Sequence, residues 1–268
     1  MATWQIGFKE PSLDESLLPI IRKAVSFRPA NQRQPIYAPQ LVSGLLLDAG
    51  NILYDDTAWR RWLLRLLTRL GLRTEYGPFF RVFDRDYLDA VYRGLRTFSD
   101  ALDSFLTSAG LSAGQAEEVR HALDSYRLHC NESDRPLIGV RETIAQLHLR
   151  GVKLAVLCNS EHSGESIRLR LAELLGESLW AAVISSHDLG CTMPEPACYR
   201  AALNAVELPV AEVAFVGHDA RELRGASALG LSTFAFNCDR DARADVFLQR
   251  FGDLIALTRT SPRCSSAA

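Results

Sequence analysis

The residues of this 268-residue chain with the clearest chemical potential stand where apolar runs stop. Asp48 ends the run in SGLLLDAGNILYDD and is followed at once by Ala49, Gly50 and Asn51. A carboxylate at the end of a buried run is costly unless it is paired, hydrogen-bonded or bound to a cation. Two readings of Asp48 stand side by side: it caps the turn AGN, or it faces a ligand. Comparable positions recur downstream. Cys158, Asn159 and Ser160 close VKLAVLCNS, His187 and Asp188 close WAAVISSHD, and His218 and Asp219 close EVAFVGHDA. Such a set of carboxylates, imidazoles and amides suits a polar ligand or a cation. His162, His187 and His218 would suit a transition metal with mixed nitrogen and oxygen ligands if they converged. Their spread from 162 to 218 lacks the tight spacing of a zinc motif, and polar strand-end loops are the stronger explanation. Cys158 reads most simply as a small buried thiol.

Such positions need a scaffold that brings distant strand ends together. The runs GLLLDAG, VKLAVLCNS, WAAVISSHD, EVAFVGHDA and LSTFAFNCD are short and apolar without alternation, the pattern of strands buried on both faces. SGESIRLRLAELLG, EPACYRAALNAV and ARELRGASALG supply helical crossovers between the later ones. The expectation is an α/β fold with a doubly wound parallel sheet, in which ligands lie beyond the carboxyl ends of the strands. Between the first two strands, Trp59, Trp62, Leu63, Leu66, Leu67 and Leu70 recur at helical spacing, as do Phe98, Leu102, Phe105 and Leu106. Residues 57–135 therefore read as an all-helical insertion of about four helices, punctuated by Gly94, Gly110 and Gly114. Its tryptophans read as core. Arg60, Arg61, Arg65, Arg69 and Arg73 read as the solvated face of its first helix, with the N-terminal end near the cleft. The expected organisation is an N-terminal extension over 1–40, an α/β core over 41–56 and 136–257, the helical insertion over 57–135, and a flexible tail over 258–268.

Composition narrows the function classes. With 47% apolar and 23% charged residues, the chain is long enough to bury roughly 70% of its unfolded surface. A net charge of -2 gives no basic field, so no nucleic-acid partner is expected. No run reaches the ~18 apolar residues of a membrane span, and the opening MATWQIGFKEP lacks a signal-peptide pattern. The expected location is cytoplasmic, without a membrane partner. Six scattered cysteines without a C-x-x-C pair suit reduced thiols rather than a disulfide framework or a structural zinc site.

The order and spacing of these segments resemble the haloacid dehalogenase (HAD) superfamily of hydrolases. LLLDAGNIL matches the first motif of that family, which makes Asp48 the nucleophile by resemblance, with Asn51 in the adjoining substrate loop. LAVLCNS matches the second, with Cys158 at the hydroxyl position and Asn159 after it. GCTMPEPACY matches the third, with Met193 at the lysine position. VAFVGHDARELRGA matches the fourth, with His218 at the first acid, Asp219 beside it and Glu222 at the later acid. The insertion falls where a helical cap does in one subgroup. The resemblance implies a Mg2+ ion held by Asp48, the Gly50 carbonyl and Asp219 or Glu222, and a small, phosphorylated substrate touching Asn51, Cys158, Asn159 and Met193.

The departures bear on activity. Gly50 stands where the family carries its proton-transferring Asp, and Met193 replaces a fixed cation. Loss of acid-base help costs about 10²- to 10⁴-fold in rate, and loss of an electrostatic stabiliser about 10²- to 10³-fold. A cation from Arg61, Arg200, Arg221 or His218 would offset the second. Two functions follow: an atypical or weak hydrolase of a small phosphorylated metabolite, or an impaired relative that binds a ligand or partner.

Overall fold

The apolar runs ending in polar residues are parallel strands of one sheet. The computed structural model describes residues 41–72, 75–133, 135–177 and 179–259. The expected extension over 1–40 and the end of the expected tail, from 260, lie outside the described residues. Among the described residues, the strands are β1 (Gly44–Leu47), β2 (Lys153–Cys158), β3 (Ala182–Ser185), β4 (Val213–Gly217), β5 (Ser232–Ala235) and β6 (Val246–Phe247). Their order is β3-β2-β1-β4-β5-β6. β1 is central, with Leu47 in register with Val156 on one side and Val216 on the other. The chain winds outward from β1 through β2 and β3, then restarts beside β1 at β4. This reversal creates a switch point at the carboxyl end of β1, where Asp48 stands.

Burial on both faces explains why β1 lacks alternation. Leu45 and Leu47 pack on one face, while Leu46 packs on the other with Phe215. The first face is covered by α6 (Val140–Leu149), α7 (Gly164–Leu175) and the 3-10 turn Phe251–Leu257; the second by α9 (Pro196–Val206) and α10 (Ala220–Ala228), with the short α8 (Ser186–Leu189) directly after β3. α6 and the two-residue β6 are additions to the elements expected from sequence. Val140, Ile144 and Leu147 bury one side of α6, a stripe diluted by polar neighbours. Thr258 and Arg259, expected in the tail, instead pair with Val42: Thr258 forms a parallel bridge to it and the Arg259 N–H donates to its carbonyl at 2.8 Å.

Between β1 and β2 run α1 (Ala58–Arg69), α2 (Tyr76–Phe83), α3 (Asp89–Tyr92), α4 (Phe98–Ser108) and α5 (Ala113–Ser133). A π turn at Asp84–Leu88 joins α2 to α3, so these two form one bent helical body. Leu63, Leu67, Phe83, Leu102 and Leu123 belong to a separate apolar core for this helical cap. Gly94 and Gly110 fall at helix ends as expected, but Gly114 lies within α5. The first break is at Gly71, whose φ of 94° is the left-handed value a glycine adopts just past a helix end. The two ends of the insertion meet, since Tyr54 bridges Pro136 and the Leu137 N–H donates to the Leu53 carbonyl at 2.9 Å.

Candidate active site

Asp48 is carried to the sheet edge by β1, where its N–H donates to the Val216 carbonyl at 3.0 Å. It is only 7% exposed. Its Oδ1 accepts from the Ala49 N–H at 2.7 Å, and its Oδ2 lies 3.4 Å from His218 Nε2. The chain then reverses through Asn51, whose φ of 57° is left-handed, and the Asn51 N–H closes on the Tyr54 carbonyl at 2.8 Å. Asp55 follows and accepts from the Thr57 N–H and hydroxyl, which sets the start of α1.

Asn159, just beyond β2, ties that strand end to the Met193 segment and to α10. Its Nδ2 donates to the Met193 carbonyl at 3.1 Å and to Glu222 Oε1 at 3.0 Å, while its Oδ1 accepts from the Met193 N–H at 2.8 Å. One amide thus ties together three segments that sequence alone connects only by spacing. Asp219 Oδ1 accepts from the N–H groups of Arg221 and Glu222, so this carboxylate caps α10. The Met193 side chain packs into the core beside Cys198 and Tyr199. The Asn51 carbonyl accepts from Asn237. Asp188 holds the N-terminus of α7 through the Gly164 N–H at 2.7 Å. Among the described residues, His187 and His162 do not join His218 in a group able to hold a metal.

Burial dominates the electrostatics. It pushes the Asp48 carboxyl up to about 7, against the pull of His218 and the Ala49 N–H, with Asp56 and Asp219 adding repulsion. Glu222 is pushed well above the carboxylate range by burial, then by Asp48 and Asp219. Burial, followed by Asp48, pushes the Cys158 thiol well up, which keeps it protonated and a poor nucleophile. Of the cations considered for the lysine position, Arg61, Arg200 and Arg221 are exposed. His218 is the one in ion-pair contact with Asp48.

A cavity of about 340 Å3 adjoins this cluster, and its lining includes Gly50, Asp56, Trp59, Arg60, Arg127 and Asn159. Arg60 departs from the solvated face expected for it. Its side chain is 13% exposed, pairs with Asp84 at 2.7 Å, and sits 4.9 Å from the centre of the Trp59 ring. Arg61, Arg65 and Arg69 do face solvent and Arg73 lies outside the described residues, whereas the side of the helix that carries Arg60 faces the cavity. Arg127 pairs with Glu161 and lies 4.0 Å over the Phe98 ring. Trp62 stacks on Tyr126 at 4.7 Å within the cap, while Trp59 packs on Phe80 and Phe98 and also forms cavity wall.

The donor set meets the needs of a magnesium ion only in part. Asp48 and Glu222 offer hard carboxylate oxygens, and Glu222 Oε2 is buried without a hydrogen-bond partner. Against this, His218 occupies the place beside Asp48 Oδ2, Asp219 Oδ1 is spent on the helix cap, and no three ligating side chains converge among the described residues. The set falls short of a complete site among the described residues.

A family model for haloacid dehalogenase-like hydrolases matches residues 42–230. The chain belongs to that family of hydrolases. Among curated proteins it is similar to a phosphoglycolate phosphatase of Pectobacterium atrosepticum, 29% identical over 154 residues. That match covers 54% of this chain and spans 65% of the relative's length. Among solved structures it resembles a dehalogenase captured with an intermediate complex, at 18% identity and TM-score 0.61, covering 84% of this chain and all of that one. It also resembles YfnB of Bacillus subtilis, assigned as a HAD-hydrolase and solved bound to magnesium, at 15% identity and TM-score 0.60, covering 81% and 98% of the two chains. At these identities the structural likeness is one of fold: the α/β core with its helical cap.

Proposed function

We propose that this chain hydrolyses a small phosphorylated metabolite, with Asp48 as the attacking group. The observation that carries the reading is Asp48 at the switch point, in electrostatic reach of Glu222, with Ala49 and Gly50 immediately after it in the wall of a cavity formed by core and cap. The similarity to a phosphoglycolate phosphatase supports a phosphate ester as substrate. Burial holds the Asp48 carboxyl near neutrality, so part of the population is ionised at pH 7 and able to attack. Asn159 braces the loop opposite, and the His218 imidazole stands where positive charge would steady the carboxylate. The side chain of Met193 brings no charge, so turnover is weak by the standard of a site with a fixed cation there.

The test is a screen of small phosphate esters, phosphoglycolate included, with Asp48→Asn as control. The screen carries magnesium and chelator arms, because Asp48 and Glu222 supply carboxylates of the kind Mg2+ takes. Activity that disappears in Asp48→Asn supports the reading. The buried, uncharged Met193 favours the second reading, a binding module. A silent parent that is nonetheless stabilised thermally by a phosphate ester would favour it.

A further inference from the structure

Gly50 and Asp56 lay claim to the same space. A Cβ built on Gly50 would lie 2.5 Å from Asp56 Oδ2 and 3.2 Å from its Oδ1, the first being closer than real Cβ atoms come. The Asp56 carboxyl thus fills the volume a side chain at position 50 would occupy, two residues beyond Asp48. The reversal at Asn51 and the bridge from Gly50 to Tyr54 bring it there. Asp56 also lines the cavity, and its Oδ1 is buried without a hydrogen-bond partner. Neighbouring Asp55 differs: Thr57 and Arg61 take up its oxygens. An unpaired buried carboxyl oxygen costs stability, so its retention in a cavity wall points to use.

We propose that Asp56 is the proton-transfer residue of this site. The proposal rests on the reading of Asp48 as nucleophile. In the first half-reaction an Asp48 oxygen bonds to phosphorus, the bond from phosphorus to the leaving oxygen breaks, and the Asp56 carboxylic acid gives that oxygen its proton. In the second, the Asp56 carboxylate takes a proton from water, the water oxygen bonds to phosphorus, and the bond to Asp48 breaks. Phosphate leaves, and each carboxyl has returned to the state it held before the first half-reaction. Expected losses for removing such a group are about 10²- to 10⁴-fold.

The experiment compares parent, Asp56→Asn and Asp48→Asn on p-nitrophenyl phosphate, whose leaving group needs little protonation, and on glycerol phosphate, whose alkoxide needs it fully. Asp56→Asn is expected to lose glycerol phosphate turnover about 10²-fold or more. On p-nitrophenyl phosphate it should release a burst of nitrophenol equal to the enzyme present and then stall, since water lacks its base. Gly50→Ala, which pushes Asp56 aside, should show the same pair of effects, the loss on glycerol phosphate and the burst on p-nitrophenyl phosphate. Gly50→Asp combined with Asp56→Gly should recover glycerol phosphate turnover relative to Asp56→Asn. Equal slowing on both substrates without a burst, in folded Asp56→Asn or Gly50→Ala, overturns the role of Asp56 and leaves Asp48 standing. A silent parent, or activity retained in Asp48→Asn, overturns both.

Discussion

His218 Nε2 lies 3.4 Å from Asp48 Oδ2, at the position where the family motif carries an acid. The contact gives Asp48 a partner that lowers its raised carboxyl, against burial that lifts it to about 7. Since the ionised form attacks, kcat/KM on p-nitrophenyl phosphate, whose leaving group needs little protonation, should rise with pH through about 7 and level off above it. Removing the imidazole in His218→Ala withdraws the lowering influence, so the rising limb should move to higher pH. A pH–rate profile of both proteins checks this; an unmoved limb would remove His218 from the account of Asp48.

The same burial has a signature in stability. The folded value for Asp48, about 7, lies above its ordinary 3.8, so the folded chain holds a proton the unfolded chain releases. Stability from this group is full below about pH 4 and is lost as pH rises through about 7. Asp48→Asn should flatten that slope and raise the melting temperature at neutral and higher pH. Thermal melts across this range read it directly, and a parent and variant with parallel curves would contradict it.

Asn159 should matter for folding as well as for the site. Asn159→Ala removes three hydrogen bonds and leaves both oxygens of buried Glu222 without a partner. A loss of about 2–4 kcal/mol is expected in urea unfolding. A change within ~0.5 kcal/mol would show that the three segments are held together by packing alone.

Arg93 fastens the cap to the core. It pairs with Asp89 at 2.7 Å and with Glu195, and donates to Thr192 Oγ1 at 3.1 Å. Asp89 and Glu195 are each 43% exposed, so solvent weakens the pairs and the link is worth about 1 kcal/mol. Arg93→Ala should raise KM about 5-fold while changing core stability little. A fall in kcat with unchanged KM would place Arg93 in the chemistry instead.

The sheet was legible because burial on both faces forces continuous apolar runs, and Asp48 and Asn159 were legible because they end such runs. Asp56 was not, although it stands in the same short stretch. Its position depends on the left-handed turn at Asn51, a three-dimensional reversal that leaves in sequence only an acid doublet before a helix. Arg60 was hidden for a related reason, since a charged residue on an amphipathic helix looks solvated until the helix is docked against a cavity. The side chain of Met193 was placed at the substrate by its motif position, whereas packing draws it into the core and leaves its backbone to meet Asn159.

The central claim is that Asp48 attacks the substrate, and its most direct test is mass spectrometry of enzyme quenched in acid during turnover of p-nitrophenyl phosphate. One phosphoryl group should be found on the peptide that carries Asp48 in the parent, more of it in Asp56→Asn, and none in Asp48→Asn. A parent that turns over without any adduct on that peptide, and an Asp48→Asn variant that turns over as fast, would contradict the account.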